Sequence, residues 1–65
     1  MNDYQIRVID EKASLSNRLS MLRAFFHNPI YHRLPEAEQL RLRYQEKFMT
    51  GYLDTLLLRI AAFEV

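Results

Sequence analysis

The chain has 65 residues and a mass of 7.8 kDa, with no cysteine, no tryptophan, one glycine and two prolines. A chain of this length forms one domain, whose core contributes only about 3–5 kcal/mol of net stability. The lack of cysteine excludes disulfides, thiolate metal sites and a cysteine nucleophile. A formal charge of +1 and a longest strongly apolar run of Leu56–Leu58 predict no binding to long nucleic acid or membrane. Charged residues near the start argue against a secretory signal, so we expect a cytoplasmic protein.

The first predicted element is a helix over about residues 3–27. Asn2 or Asp3 is suited to cap its N-terminus, because both side chains accept hydrogen bonds from backbone N–H groups. Apolar residues spaced by three, four or seven positions form one stripe along it: Tyr4, Val8, Leu15, Leu19, Leu22 and Phe26.

A connection of about residues 28–34 follows, bounded by the two prolines. Pro29 disfavours helical backbone in the residue before it, and Pro35 is suited to the first turn of a new helix. The residues between them, Ile30, Tyr31 and Leu34, are too apolar for a free linker. We therefore expect the connection to fold over one end of the molecule as a plug.

The second predicted helix covers about residues 35–62. Its core stripe repeats every seven residues at Leu42, Met49, Leu56 and Phe63. Two long helices of matching length joined by a short connection predict an all-α fold, an antiparallel helical hairpin that forms a single domain over residues 1–65. Further apolar residues lie outside the shared seam, so we expect hairpins to associate as a homo-oligomeric bundle of two, four or six chains.

Catalysis and metal binding have little support in the sequence. His27 and His32 are five positions apart, whereas paired helical metal ligands are four apart. Glu36 and Glu38 fit the solvated acids of a first helical turn. No glycine-rich phosphate loop is present. We therefore expect no enzyme activity, no metal and no cofactor.

Polar residues occur at heptad positions that are otherwise apolar. Lys12, Gln45 and Arg59 are placed near apolar surface, where an unpaired charge is unfavourable. One interpretation is structural: the cations extend to the edge of the seam, or pair with Glu11 or Asp54 of a neighbouring chain to set the register. The other is a polar pocket between subunits that receives an anionic ligand.

A second basic cluster lies within two turns of the second helix. Arg41, Arg43, Tyr44 and Lys47 combine guanidinium groups, which bind phosphate in a bidentate manner, with a ring on which a base can stack. A solvated face with Glu38 and Glu46 as compensating charges explains the same cluster equally well.

The chain resembles a family of very small helical phage proteins named after a crAss-like phage gene product. The resemblance covers nearly the whole chain and rests on Tyr4-Gln5, Arg7-Val8-Ile9, Glu11-Lys12, Leu15, Leu19, Leu22, Phe26, Leu34-Pro35, Arg41-Leu42, Gln45, Met49, Tyr52, Leu56, Arg59-Ile60 and Phe63. It implies a phage origin more directly than it implies a function.

The second helix also resembles, more loosely, the helical-hairpin core of phage anti-CBASS and anti-Thoeris sponges. Those proteins form oligomers that sequester cyclic oligonucleotide signals in pockets between chains, and Arg41, Gln45, Met49 and Arg59 match their recurring residues. The chain departs from them in its shorter length, in having its long helix first and in lacking a polar insertion. The resemblance implies an anti-defence sponge for a cyclic di- or trinucleotide.

Two functional hypotheses follow. In the first, the protein is a sponge that sequesters a cyclic oligonucleotide, and seven residues hold this ligand: Tyr4, Arg7, Lys12, Arg41, Gln45, Tyr52 and Arg59. In the second, the protein is an anti-CRISPR-like inhibitor that binds a host defence protein through an apolar surface of Ile6, Ile9, Phe48 and Leu57. A structural assembly module without ligand or host partner is a third possibility.

Overall fold

The computed structural model describes residues 1–63 and contains three helices. Helix α1 spans Asp3–Phe25, α2 spans Pro29–Arg33 and α3 spans Glu36–Ala61, and no strand occurs within residues 1–63. The predicted all-α class with long helices packed against each other is confirmed. Residues 64 and 65, which the predicted domain includes, lie outside the described residues.

Helices α1 and α3 pack against each other along a rod of 48 × 15 × 14 Å. The heptad repeat of α3 explains the core, because residues seven positions apart return to nearly the same face of a helix. Val8, Leu15 and Leu56 form the central cluster. Met49, Leu53, Ile60 and Phe63 pack against it. The core is thin, so most side chains of the rod keep one exposed side.

A capping box fixes the start of α1. The Asn2 side chain accepts a hydrogen bond from the Gln5 backbone N–H at 3.3 Å, and the Asn2 backbone N–H donates to Gln5 Oε1 at 3.0 Å. Gln5 is buried, and this reciprocal pair gives partners to its side-chain Oε1 and its backbone N–H. A polar residue on the α1 seam therefore has a structural role.

The connection contains a helix that the sequence did not lead us to expect. Asn28 caps α2 by accepting a hydrogen bond from the Ile30 N–H at 2.8 Å, and Pro29 occupies the first helical position. Of the three apolar residues in the connection, Tyr31 is buried, Leu34 is half-buried and Ile30 is 55% exposed. The plug is therefore formed mainly by Tyr31.

Aromatic rings and one cation close this end of the hairpin. The Tyr31 ring meets Phe26 edge-on at 5.0 Å between centroids, and the Arg43 guanidinium lies 3.8 Å from the Phe26 centroid. Arg43 also donates a hydrogen bond of 3.1 Å to the Tyr31 hydroxyl. Cation–π contacts of this kind favour a fixed arginine. Arg43, which belongs to the predicted basic cluster, therefore has a structural role in its contacts with Phe26 and Tyr31.

Candidate functional site

Two contacts between α1 and α3 define the two long flanks of the hairpin. On one flank the Tyr52 hydroxyl donates a hydrogen bond to Glu11 Oε1. On the other, Arg23 donates to Glu46 at 3.1 Å and to Thr50 at 3.0 Å. We call these the tyrosine flank and the Arg23 flank.

Helical periodicity assigns the candidate residues of α3 to the tyrosine flank. Gln45 and Arg59 lie seven positions before and after Tyr52, and Arg41 lies eleven positions before it. Residues seven or eleven positions apart share a face of a helix. All four candidates on α3 therefore lie on the same side of the hairpin.

The candidates on α1 divide between the two flanks. Tyr4 and Arg7 lie seven and four positions before Glu11, so both belong on the tyrosine flank. The Tyr4 ring, 49% exposed, packs edge-on against Phe63 at 5.8 Å. Lys12 lies eleven positions before Arg23 and so faces the Arg23 flank. One of the seven candidates is thus separated from the other six.

The six residues on the tyrosine flank are also spread along the rod. Arg41 and Gln45 lie near the connection, whereas Tyr4 and Arg59 lie near the chain termini. Arg41 and Arg59 are eighteen residues apart in one helix, which corresponds to about 27 Å at 1.5 Å per residue. A small ligand bound to one chain therefore contacts either the residues near the connection or the residues near the chain termini, but not both.

The Tyr52 hydroxyl is in an unusual electrostatic environment. Its hydrogen bond to the Glu11 carboxylate raises the pKa of Tyr52 above its ordinary value of 10.0, since ionisation breaks that bond. Desolvation and the negative charge of Glu11 also raise the pKa, whereas Arg18 and Arg59 lower it. A tyrosine, a carboxylate and two arginines therefore interact on this flank.

Glu11 and Arg18 were not among the candidates from the sequence. Both lie in the same heptad series as Tyr4, at positions 4, 11 and 18, which was the signal available in the sequence. This spacing did not identify Glu11 and Arg18 as site residues, because the sequence alone does not give the register between α1 and α3.

Replacing Glu11 with glutamine is expected to return the pKa of Tyr52 towards 10.0, because the amide carries no negative charge. The raised pKa also means that this contact favours the folded state below pH 10 and is lost as pH rises through the folded-state pKa. Tyrosinate absorbance titrations of wild type and Glu11→Gln, each minus its Tyr52→Phe counterpart, measure the shift. Identical Tyr52 titrations in both backgrounds would contradict it.

The arginines of the tyrosine flank have different degrees of charge compensation. Arg41 forms an ion pair of 2.8 Å with Glu38, in which the Arg41 side chain is largely exposed and the Glu38 side chain is partly exposed. Exposed pairs of this kind contribute little stability, so Glu38 is readily replaced by another anion. Arg7 and Arg59 form no ion pair within residues 1–63. Both guanidinium groups are therefore free to bind an anion there.

A shallow pocket lies on the outer face of α3, away from α1. Leu40, Arg43, Tyr44 and Lys47 line its volume of about 290 Å³. Arg43 is engaged with Phe26 and Tyr31, which leaves Lys47 as the cation not committed to the end of the hairpin. The pocket is a competitor to the tyrosine flank for an anionic ligand.

Within residues 1–63, no three histidine, aspartate or glutamate side chains are placed to hold a metal ion together. No helix in this part of the chain is long and apolar enough to span a membrane.

Along one flank of the all-α hairpin lie two partly exposed tyrosines, Tyr4 and Tyr52, and two arginines, Arg7 and Arg59, that form no ion pair within residues 1–63. The chain belongs to the Sequestin family, whose model matches residues 2–62. The family name suggests a sequestering protein, which is a binding role, and it does not specify the ligand. No curated protein and no solved structure matches the chain.

Proposed function

We propose that the protein is a phage-encoded, non-enzymatic homo-oligomer that sequesters a cyclic oligonucleotide immune signal in the cytoplasm of the host. The observation that carries the proposal is the tyrosine flank, where the partly exposed Tyr4 and Tyr52 share one side of the hairpin with Arg7 and Arg59, which form no ion pair within residues 1–63. Membership of the Sequestin family supports sequestration as the general role.

The residue types on this flank fit the chemistry of a nucleotide. Arginine binds phosphate oxygens through two parallel N–H bonds, and Arg7 and Arg59 have no carboxylate partner within residues 1–63. Tyr4 and Tyr52 are 49% and 44% exposed, so each ring offers a face on which a base can stack. Gln45 is exposed, and its amide can hydrogen-bond a base edge or a ribose.

Sequestration needs no reacting group, only an affinity that holds the ligand at its working concentration. A tenfold gain in affinity requires about 1.4 kcal/mol, which one charge-assisted hydrogen bond supplies. Two arginines and a stacked ring therefore suffice for a useful affinity. Lys12 faces the Arg23 flank, so the site proposed here consists of the other six candidate residues.

The test is native mass spectrometry of the protein purified from a bacterial host, repeated with added cyclic di- and trinucleotides and with linear nucleotides as controls. We expect a closed oligomer that carries a nucleotide-sized adduct. Isothermal titration of the bound nucleotide then compares two variants. Arg59→Ala should weaken binding by about 10- to 100-fold, because it removes charged hydrogen bonds to phosphate.

Lys47→Ala is the matched control, since it removes one cation from the shallow pocket and leaves the tyrosine flank intact. It should change the affinity by less than about twofold. Loss of binding in Lys47→Ala but not in Arg59→Ala would assign the ligand to the pocket and overturn the proposed site. Failure of every oligomer to bind any nucleotide would overturn the function.

The inhibitor hypothesis is less well supported by the surface. Phe48 lies four positions before Tyr52 on the tyrosine flank, whereas Leu57 lies seven positions after Thr50 on the Arg23 flank. The four apolar residues predicted to contact a host protein therefore do not form one patch. Capture of a host protein that Phe48→Asp abolishes, without nucleotide binding, would favour that hypothesis.

A further inference from the structure

The tyrosine flank contains a second heptad stripe on α3, beside the one that packs on α1. Successive residues of this stripe are four, three, four, three and four positions apart, so their spacing is symmetric about position 50. The six residues are Arg41, Gln45, Phe48, Tyr52, Thr55 and Arg59. A stripe with this spacing is the geometry with which one helix packs against another in a coiled coil.

This stripe is exposed on the isolated hairpin. Phe48, at its centre, is 69% exposed, which is unusual for a side chain of its size. Thr55, Gln45 and Arg41 are exposed as well. The aromatic centre with polar ends resembles an interface, in which an apolar core is surrounded by a polar rim.

Gly51 gives a second, independent indication. Glycine in a helix interior destabilises the helix by about 1 kcal/mol relative to alanine. A Cβ atom at Gly51 would meet nothing within 4 Å, so packing within the chain does not require the glycine. Gly51 borders Phe48 and Thr55, three and four positions away, and would allow a second backbone to approach closely there.

We infer that a second copy of the chain packs antiparallel on this stripe, with a two-fold axis that crosses the stripe between Phe48 and Tyr52. In an antiparallel pair, residues whose numbers add to the same total lie opposite each other, and here that total is 100. Phe48 then faces Tyr52 of the second copy, and Gln45 faces its Thr55. The interface is isologous, as expected for a two-fold dimer.

The same register joins the two separated groups of candidate residues. Arg41 of one chain comes to lie opposite Arg59 of the other, although in a single chain the two are about 27 Å apart, and Gln45 lies about one helical turn from the second copy's Tyr52. Two arginines that face each other repel unless an anion lies between them. The dimer therefore has two equivalent anion sites, each incomplete in one chain. This part rests on the proposed function.

Disulfide trapping tests the register, and the natural absence of cysteine gives a clean background. Oxidising an equimolar mixture of Gln45→Cys and Thr55→Cys should give a covalent dimer of twice the 7.8 kDa chain mass. Each variant alone should not cross-link. In the antiparallel register identical positions lie about 15 Å apart, beyond the roughly 7 Å that a disulfide spans between Cα atoms.

A parallel pair would instead place Gln45 opposite Gln45, so efficient cross-linking of Gln45→Cys alone would overturn the inference. Failure of the mixture to cross-link would overturn it as well. A mixture of Asp10→Cys and Lys47→Cys, at two exposed positions, is the control for random collision. The experiment is run at a protein concentration low enough that this control mixture does not cross-link.

The anion sites are tested with inorganic pyrophosphate as the probe. Sedimentation should show that pyrophosphate tightens self-association by about tenfold, because it neutralises the facing arginines. Arg59→Ala should cross-link as efficiently as its parent pair but should lose the pyrophosphate response. Reduced cross-linking in that variant, or no response in the wild type, would overturn the composite site.

The two proposals fail in different ways. Cross-linking of the mixture without binding of any nucleotide would retain the dimer register and overturn the proposed function. Nucleotide binding without cross-linking of the mixture would retain the proposed function and overturn the dimer register.

Discussion

Leu56→Ala is expected to lower the free energy of unfolding towards zero, so that a substantial fraction of the protein is unfolded at room temperature. Leu56 is 0% exposed and lies in the central cluster with Val8 and Leu15. Truncating a buried leucine costs about 2–5 kcal/mol, through lost apolar burial and the cavity that remains. A core of this size contributes only about 3–5 kcal/mol, so one substitution removes a large part of it. Far-UV circular dichroism and thermal melting measure the loss of helix.

Leu58→Ala provides the matched control for this experiment. The substitution is the same, the helix is the same and the position is two residues away, but Leu58 is 71% exposed. It should change the free energy of unfolding by about 0.5 kcal/mol or less, as surface substitutions do. Equal melting temperatures for Leu56→Ala and Leu58→Ala would show that the hairpin seam does not determine stability.

The long helices could be predicted because their signals are local and repeated. The seven-residue spacing of Leu42, Met49 and Leu56 identifies one buried face without any knowledge of the partner helix. Helix α2 was missed because Pro29 was considered only as a helix terminator. A proline preceded by a capping Asn28 also begins a helix, and that is its role here.

The flanks of the hairpin could not be predicted in the same way. Glu11 and Lys12 are adjacent in sequence but belong to opposite flanks, and which flank each faces depends on the rotation of α1 against α3. The heptad spacing restricts that rotation but does not tell the two sides apart. The contacts of Tyr52 and Arg23 settle it, because each joins α1 to α3 on one side.

The sequence shows the types of the candidate residues but not their arrangement in space. Arginine, tyrosine and glutamine on helix faces are visible in the sequence, and six of the seven candidates share one flank. Arg41 and Arg59 are separated within α3 itself, whereas the position of Tyr4 beside the end of α3 depends on the antiparallel packing, which a list of residues does not contain. The further step to a site built from two chains accounts for that separation.

Phe48→Asp is expected to dissociate the dimer and, with it, to abolish nucleotide binding. In the proposed register Phe48 lies next to the two-fold axis, so each dimer would bury two unpaired carboxylates against tyrosine rings. Burial of an unpaired charge is strongly unfavourable, and we expect the dissociation constant of the dimer to rise at least about a hundredfold. Phe48 is 69% exposed in the hairpin, so the helix content of the monomer should not change. Sedimentation and circular dichroism measure the two effects separately.

Leu57→Asp is the control, because it introduces the same charge at a residue 47% exposed on the Arg23 flank. Leu57→Asp should leave the dissociation constant of the dimer and its affinity for nucleotide unchanged. Loss of nucleotide binding follows from dissociation only if the site needs both chains. A monomeric Phe48→Asp protein that binds nucleotide with wild-type affinity would place the whole site within one hairpin, and the facing arginines would then have no part in sequestration.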